Sequence, residues 1–183
     1  MSCQSSYLVP ALDVNRFVNN ANGLIERIKL SGIQFDSIAF SGMSGSLVVP
    51  IIAMLMGKNM LLVRKERDDC HSSYQVEGNL LLARRFIIID DLVSSGDTVR
   101  RINGRVKRSQ TQLRENGEVV PEGKCVGLFC YNEHWRSPST EMFALDLSNE
   151  NESKIPWIRS IGDEPILDKE REELQAFARV QPA

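Results

Sequence analysis

Two adjacent carboxylates, Asp90 and Asp91, stand just before a short run of small and hydroxyl-bearing residues, Ser94 to Thr98. Ionised carboxylates accept hydrogen bonds from the hydroxyls of a diol. Backbone amides at the start of a helix, with serine and threonine hydroxyls beside them, bind a phosphate group. Because the two groups are only a few residues apart, this segment predicts a site for a ribose 5-phosphate.

A strand and a helix would hold this segment in place. Phe86 to Ile89 are consecutive large apolar residues, typical of a strand buried on both faces of a parallel sheet. Asp97 to Glu115 has apolar residues at helical spacing and ends near Gly117. Open α/β sheets bind their ligands at the carboxyl ends of the strands, where the two carboxylates would lie.

The rest of the chain alternates between strand and helix patterns, which predicts an α/β fold with a mostly parallel sheet. A helix from Asp13 to Leu30 has Asp13 as its N-cap and Gly32 as its stop, and an apolar face from Val14 to Ile28. A second helix runs from about Leu47 to Met56, with Pro50 in its first turn. Further strands are predicted at Ser37–Phe40, Asn59–Arg64, Leu80–Leu82, Lys124–Tyr131 and Met142–Leu147, and a terminal helix at Pro165–Val180.

Composition sets limits on the class of protein. The 183 residues fit one domain, and 42% hydrophobic with 25% charged residues is typical of a globular protein. No apolar run is long enough for a membrane span, and the first residues do not resemble a secretory signal. Four cysteines without C-x-x-C spacing and only two histidines predict reduced thiols in a cytoplasmic protein rather than a zinc site.

The stretch FIIIDDLVSSGDT, from Phe86 to Thr98, resembles the phosphoribosyl pyrophosphate (PRPP) signature of the type I phosphoribosyltransferases. The resemblance implies a single domain, 1–183, with a parallel-sheet core at about 33–147. A small hood would come from the chain ends, 1–32 and 148–183. It also implies Mg²⁺-dependent transfer of a phosphoribosyl group from PRPP to a nucleobase with release of pyrophosphate, and a homodimer.

The resemblance also implies roles for residues around the signature. Asp90 and Asp91 would hold the ribose hydroxyls and, through water, Mg²⁺. The 5-phosphate would bind Ser94, Ser95, Gly96, Asp97 and Thr98. The pyrophosphate would bind the loop after the first core strand, Gly42, Met43, Ser44 and Gly45, and the cations that end the second strand, Arg64 and Lys65. The resemblance implies that Lys65, like Asp90 and Asp91, is a catalytic residue. The simpler alternatives are a structural turn at Ser41–Gly45 and a solvated cation pair.

A polar, aperiodic segment, Lys65 to Asn79, corresponds to the family's mobile lid. Its opening Arg-Lys-Glu resembles that of orotate phosphoribosyltransferases. Those enzymes carry a further catalytic lysine about three residues on, and here that place is Asp68. Arg67, His71 or Tyr74 could substitute, and the sequence does not choose between them.

The sequence favours orotate or a related base over hypoxanthine or guanine. Enzymes for 6-oxopurines carry an aspartate where this chain has Ser94, whose hydroxyl is no general base near neutral pH. The Asp-Asp pair also resembles orotate and adenine enzymes. The Pro-Trp at Trp157 resembles hypoxanthine-type enzymes and points the other way. Three aromatic residues could stack on the base or lie in the core, namely Tyr131, Trp135 and Trp157.

Two other functions fit parts of the sequence. A PRPP-sensing regulator would keep the signature and bind RNA through the cations of the following helix, Arg100, Arg101, Arg105, Lys107, Arg108 and Arg114. This run lacks aromatic residues, so a solvated face or a subunit contact is favoured and nucleic acid is not expected as a partner. A dinucleotide-binding domain is disfavoured because no G-x-G-x-x-G follows the first strand.

Overall fold

The computed structural model describes residues 8–65, 74–91, 96–131, 145–146, 154–155 and 157–158. Four helices lie within these ranges: α1 Val9–Leu12, α2 Val14–Leu30, α3 Gly42–Met56 and α4 Asp97–Glu115. The strands of the described residues are β1 Ser37–Ser41, β2 Asn59–Val63, β3 Val76–Gly78, β4 Arg85–Asp90, β5 Lys124–Cys130, β6 Leu145–Asp146, β7 Lys154–Ile155 and β8 Trp157–Ile158.

Six of these strands form one sheet in the order β3-β2-β1-β4-β5-β8. β1 pairs in parallel with β2 and β4, and β5 pairs in parallel with β4 and β8. β3 is antiparallel to β2 at one edge. A separate two-stranded pair joins β6 to β7. The prediction of an α/β fold with a mostly parallel sheet is confirmed, whereas the division into core and hood stays a prediction.

The sheet is covered on both faces, which explains why its central strand is continuously apolar. In β4, Ile87 and Ile89 pack with residues of α2 and α3, such as Leu24 and Ile52. Phe86 and Ile88 face the other way and pack with apolar residues of α4. Each of these four β4 side chains is fully buried, and burial of one such side chain contributes about 1.5–3 kcal/mol.

Two sequence predictions about helices are confirmed closely. Asp13 caps α2, because its carboxylate accepts a hydrogen bond from the Arg16 amide at 3.0 Å. The bounds of α4 are those predicted. The predicted apolar face of α2 is partly wrong, since Val14 and Val18 are exposed and the polar residue Asn20 is buried.

The predicted start of α3 is wrong. The helix begins at Gly42 rather than at about Leu47, so Pro50 lies inside it and not in its first turn. Two other differences concern short elements. Leu80–Leu82 forms a 3₁₀ turn rather than a strand, and β3 lies within the segment predicted to be an aperiodic loop. Of Met142–Leu147 only β6 is described, and Pro165–Val180 lies outside the described residues.

Hydrogen-bonded side chains hold together the amino-terminal ends of the strands. Gln110 of α4 is fully buried, and its amide nitrogen donates to the carbonyls of Leu80 and Ala83 at 3.2 and 2.9 Å. Its amide oxygen accepts from the Gly123 N–H at 2.9 Å. The Asp36 carboxylate accepts from two successive backbone amides before β4, at 3.1 and 3.0 Å. Gln110 and Asp36 therefore satisfy backbone polar groups at the amino-terminal ends of the strands.

Among the described helices, none is both apolar enough and long enough to cross a lipid bilayer.

We expect Gly78→Ala to destabilise the protein by at least about 3 kcal/mol. Gly78 has φ of 132°, and a Cβ there would lie 2.2 Å from the Met60 carbonyl oxygen on β2. Urea denaturation gives the free energy of unfolding. The matched control is Gly104→Ala on α4, where an added Cβ meets nothing within 4 Å and should be neutral or stabilising. Equal stabilities of the two variants would contradict the prediction.

Candidate functional site

The carboxyl ends of the parallel strands bring three predicted groups to one edge of the sheet. Ser41 ends β1 and leads directly into α3, Arg64 follows β2, and Asp90 ends β4. Because β1 lies between β2 and β4, these ends are neighbours in space. Residues from three separate parts of the sequence therefore meet, as the resemblance implied.

Asp90 and Asp91 form a partly buried acidic pair at the end of β4. Asp90 is 6% exposed, and its Oδ1 accepts a hydrogen bond from the Asp91 N–H at 3.0 Å. Burial, and after it the hydrogen bond and the charge of the Asp91 carboxyl, raise the pKa of Asp90 to about 7. The Asp91 N–H and the positive charge of Arg101 act in the opposite direction. Such a pair gains from partners that stabilise its charge, such as hydroxyl donors or a cation.

The turn after the acidic pair is described in part. Ser94 and Ser95 lie outside the described residues. Gly96 precedes α4 with φ of 80°, a left-handed conformation that favours glycine at this position. Thr98 is half-buried in the first turn of the helix, and exposed Asp97 forms an ion pair with Arg100 at 3.0 Å. The described part of the turn thus leads into the amino-terminal end of a helix, which suits a phosphate group. It also carries one carboxylate, that of Asp97.

Residues Gly42 to Gly45 form the first turn of α3 rather than a separate loop. Met43 is exposed, whereas Ser44 is buried and Gly45 packs closely against Phe40. Ser41 precedes the helix in extended conformation and is 4% exposed, and its hydroxyl has no hydrogen-bond partner among the described residues. A buried hydroxyl without a partner is uncommon. The sequence placed Ser41 in the candidate turn Ser41–Gly45 but indicated no role for its hydroxyl.

Lys65 lies against the amino-terminal end of α3. A Cβ at Gly42 would come within 2.9 Å of Lys65 Cε and 3.1 Å of its Nζ. The amino end of a helix carries a partial positive charge, which favours an anion there. The exposed ammonium group of Lys65 adds a second positive charge at the same place. Together these two features favour an anion-binding role for Gly42 and Lys65.

Arg64 has a partner that the sequence did not indicate. Its Nε and Nη2 donate to Glu77 Oε1 on β3 at 3.2 and 2.9 Å. Its N–H donates to the Gln75 carbonyl at 3.0 Å. In this structure the Arg64 guanidinium therefore contacts a carboxylate on the neighbouring strand, whereas the resemblance implied a contact with pyrophosphate.

Tyr131 lies in the core rather than at an open surface. It is 1% exposed, and its hydroxyl donates to the Ser44 carbonyl at 3.2 Å. Its N–H donates to the Asp90 carbonyl at 3.2 Å, so Tyr131 joins the acidic pair to the first turn of α3. The alternative of a core residue holds for Tyr131 in this structure. Trp157 begins β8, and Trp135 lies outside the described residues.

The basic helix α4 is only partly a solvated face. Arg100, Arg108 and Arg114 are exposed, as that interpretation requires. Arg105 is 8% exposed, and the interpretation is therefore wrong for this residue. Among the lid candidates, Tyr74 is exposed, and Arg67 and His71 lie outside the described residues.

The donor set at this edge fits Mg²⁺ in kind. The described residues contain no group of three or more histidine, cysteine, aspartate or glutamate side chains that could hold a metal. Asp90 and Asp91 supply carboxylate oxygens, the ligands that Mg²⁺ prefers, and Mg²⁺ commonly binds through one or two carboxylates plus water and phosphate. The two carboxylates are therefore compatible with an ion held mainly by substrate and water.

We expect Lys65→Met to weaken pyrophosphate binding about tenfold with little loss of stability. Lys65 is exposed, so its truncation leaves no cavity, and it removes a cation from the amino end of α3. Isothermal titration calorimetry measures the affinity. The control is Lys124→Met, which removes an exposed lysine at the amino-terminal end of β5, away from the candidate site. If both variants bind pyrophosphate equally well, Lys65 has no anion-binding role.

Comparison with known proteins relates the chain to phosphoribosyltransferases, although no protein-family model matches it. An orotate phosphoribosyltransferase of Pyrococcus furiosus is 23% identical over 117 residues, covering 60% of this chain and 63% of that protein. One from Streptococcus pyogenes is 32% identical over 78 residues, covering 43% and 37%. The matches therefore span less than two thirds of the length of these relatives.

Solved structures show the same fold. The orotate phosphoribosyltransferase of Aeropyrum pernix superposes with a TM-score of 0.53 at 15% identity, covering 88% of this chain and 77% of that one. The UMP synthase of Leishmania donovani gives a TM-score of 0.52 at 16% identity, covering 98% and 38%. The chain has the fold of the type I phosphoribosyltransferases, and the predicted resemblance to them is confirmed.

Proposed function

We propose that this protein transfers a phosphoribosyl group from PRPP to a nucleobase in the presence of Mg²⁺ and releases pyrophosphate. The observation that carries the proposal is the placement of two groups at one edge of a phosphoribosyltransferase fold. The acidic pair Asp90–Asp91 ends β4, and Lys65 lies over the amino end of α3 nearby. The first suits the hydroxyls of a ribose, and the second suits its leaving diphosphate.

The reaction needs charge stabilisation rather than a covalent intermediate. As pyrophosphate departs, C1 of the ribose becomes oxocarbenium-like and the leaving oxygens gain negative charge. Ionised Asp90 and Asp91 would accept hydrogen bonds from the ribose hydroxyls and orient the sugar. Lys65 and the amides of the first turn of α3 would stabilise the diphosphate. Asp90 and Asp91 would also hold a Mg²⁺ ion, which would supply further positive charge for the leaving diphosphate.

We propose orotate as the base. The relatives named above are orotate phosphoribosyltransferases, and the Asp90–Asp91 pair resembles those enzymes. Orotate is an anion, so its nitrogen needs less help from a protein base than a neutral purine does. Ser94, whose identity excludes a carboxylate base at that place, supports the same choice.

Release of pyrophosphate from PRPP tests the function directly. The assay uses Mg²⁺ and a panel of orotate, adenine, hypoxanthine and guanine, with kcat/KM measured for each base. We expect turnover with orotate. A kcat/KM for guanine or hypoxanthine tenfold above that for orotate and adenine would refute the choice of base. PRPP binding without turnover on any base would refute the enzyme and favour a regulator.

We also propose that each chain has a core at 33–147 and a hood from 1–32 and 148–183, and that the active form is a homodimer. The support for the dimer is an exposed apolar surface on α3, where Met54 is 73% and Leu55 61% exposed. Neighbouring apolar side chains that are exposed in this way form the kind of patch that marks an interaction surface. Sedimentation velocity measures the mass in solution, and a monomer at assay concentration would contradict the dimer.

A further inference from the structure

Arg105 is a buried arginine whose contact leads to the candidate anion site. It lies on α4 with 8% of its surface exposed, and its Nη1 donates a hydrogen bond to the backbone carbonyl of Arg64. Arginine is rarely buried unless it is paired or hydrogen-bonded. Its burial costs free energy that an exposed arginine would avoid, and the hydrogen bond to the Arg64 carbonyl offsets part of that cost.

The carbonyl that Arg105 contacts belongs to the peptide group joining Arg64 to Lys65. A peptide group is planar and rigid, so a hydrogen bond that restrains its oxygen also restrains the nitrogen and Cα of the next residue. That residue is Lys65, whose Cε and Nζ lie close to Gly42 at the start of α3. The contact therefore sets where the Lys65 side chain leaves the backbone.

Other contacts hold the same stretch of backbone to the sheet. The Arg64 N–H donates to the Gln75 carbonyl, and the Arg64 side chain binds Glu77 of β3. These two contacts tie Arg64 to the edge strand of the sheet. The hydrogen bond from Arg105 ties the same backbone to α4, the helix that begins at the candidate 5-phosphate turn. Arg105 thus links the two halves of the proposed PRPP site.

We propose that Arg105 is a positioning residue that holds Lys65 at the amino end of α3 for binding the diphosphate of PRPP. The inference rests on the proposed function and adds a residue outside the recognised signature. Arg105 does not itself touch the diphosphate in this proposal. It acts through the Arg64–Lys65 peptide group, so its effect should depend on Lys65.

A double-mutant cycle between Arg105 and Lys65 tests this dependence. Calorimetry in MgCl₂ measures the affinities of pyrophosphate and, separately, of ribose 5-phosphate for each variant. We expect Arg105→Met to weaken pyrophosphate binding about tenfold and ribose 5-phosphate binding less than twofold. In the Lys65→Met background, Arg105→Met should change pyrophosphate binding less than twofold. General damage to the fold would weaken both ligands in both backgrounds.

Two further variants complete the test. Arg108→Met removes an exposed arginine from the same helix and should leave both affinities within twofold of the wild type. Arg105→Lys keeps a donor for the Arg64 carbonyl and should restore most of the pyrophosphate affinity. If Arg105→Met does not fold, Arg105→Lys gives the same comparison. It should lower the affinity for pyrophosphate about threefold when Lys65 is present and leave that affinity unchanged in the Lys65→Met background.

The outcomes separate this inference from the function on which it rests. Wild-type protein that binds neither pyrophosphate nor ribose 5-phosphate refutes the proposed function, and the inference with it. Wild-type protein that binds both, together with a folded Arg105 variant of unchanged pyrophosphate affinity, refutes the inference alone. Equal losses for the two ligands, or losses that persist without Lys65, show a structural role for Arg105 and also overturn the inference.

Discussion

Replacing Asp90 and Asp91 together by asparagine should lower turnover at least about a thousandfold, because single preorganised groups at reacting centres already contribute about 10²–10³. Asparagine has nearly the same size as aspartate but carries no charge for the ribose hydroxyls or a metal ion. The buried backbone of β4 is unchanged, and the chain should remain folded. Steady-state pyrophosphate release and circular dichroism measure the two effects.

The same double variant should also bind PRPP more weakly, which calorimetry can measure. The matched control is Glu118→Gln, which removes an exposed carboxylate from the turn between α4 and β5. It should retain nearly all of the activity, since this turn lies at the opposite end of the strands from the acidic pair. A folded double variant with unchanged PRPP affinity would remove the proposed contact between the acidic pair and the ribose.

The single change Asp90→Asn should stabilise the ligand-free protein by up to about 4 kcal/mol above pH 7. Burial raises the pKa of Asp90 from its ordinary value near 3.8 to about 7. The folded state therefore binds this proton more tightly than the unfolded state does. As pH rises from about 4 to about 7, the wild type loses stability because a buried carboxyl must ionise. Asparagine stays neutral, so the variant avoids this loss.

Thermal unfolding between pH 4 and pH 8, without PRPP or Mg²⁺, measures the difference. The gain of Asp90→Asn should be small at pH 4, grow through the interval and level off above pH 7. Glu115→Gln, an exposed change at the end of α4, serves as the control and should show no such pH dependence. A gain for Asp90→Asn that does not vary with pH would show that its carboxyl ionises normally in the folded protein.

The parts of the fold predicted correctly from sequence are those specified by local signals. Phe86 to Ile89 are apolar without interruption because both faces of β4 are buried. The bounds of α4 follow from the glycines that flank it and from its apolar spacing. The acidic pair was found because two carboxylates directly follow a buried strand. In each case a few neighbouring residues carry the information.

The start of α3 was missed because its first turn has the composition of a loop. Gly42 and Gly45 suggest a turn, but Gly45 is required by the close approach of Phe40. Pro50 within the helix cannot donate to the carbonyl of Ser46, and the surrounding burial of Val49 and Ile52 outweighs this loss. Local propensity was overridden by tertiary packing.

The contacts of Arg105, Glu77 and Tyr131 could not be predicted from one sequence. Arg105 contacts a carbonyl 41 positions away, and Tyr131 contacts one 87 positions away. Arginine and tyrosine are each found both at the surface and in the interior of proteins, so the residue types of Arg105 and Tyr131 do not indicate a partner. Only the arrangement of α3, α4 and the sheet brings these groups together.

The turn between α4 and β5 offers a place to attach a reporter group. Asn116 and Gly117 end the helix, and Val119 is 97% exposed. The turn lies at the amino-terminal ends of the strands, opposite the strand ends that carry the acidic pair, and the Gln110–Gly123 hydrogen bond fastens it to α4. A fluorophore or short tag at Val119 could therefore report ligand binding or immobilise the protein for surface measurements without obstructing the strand ends where PRPP is proposed to bind.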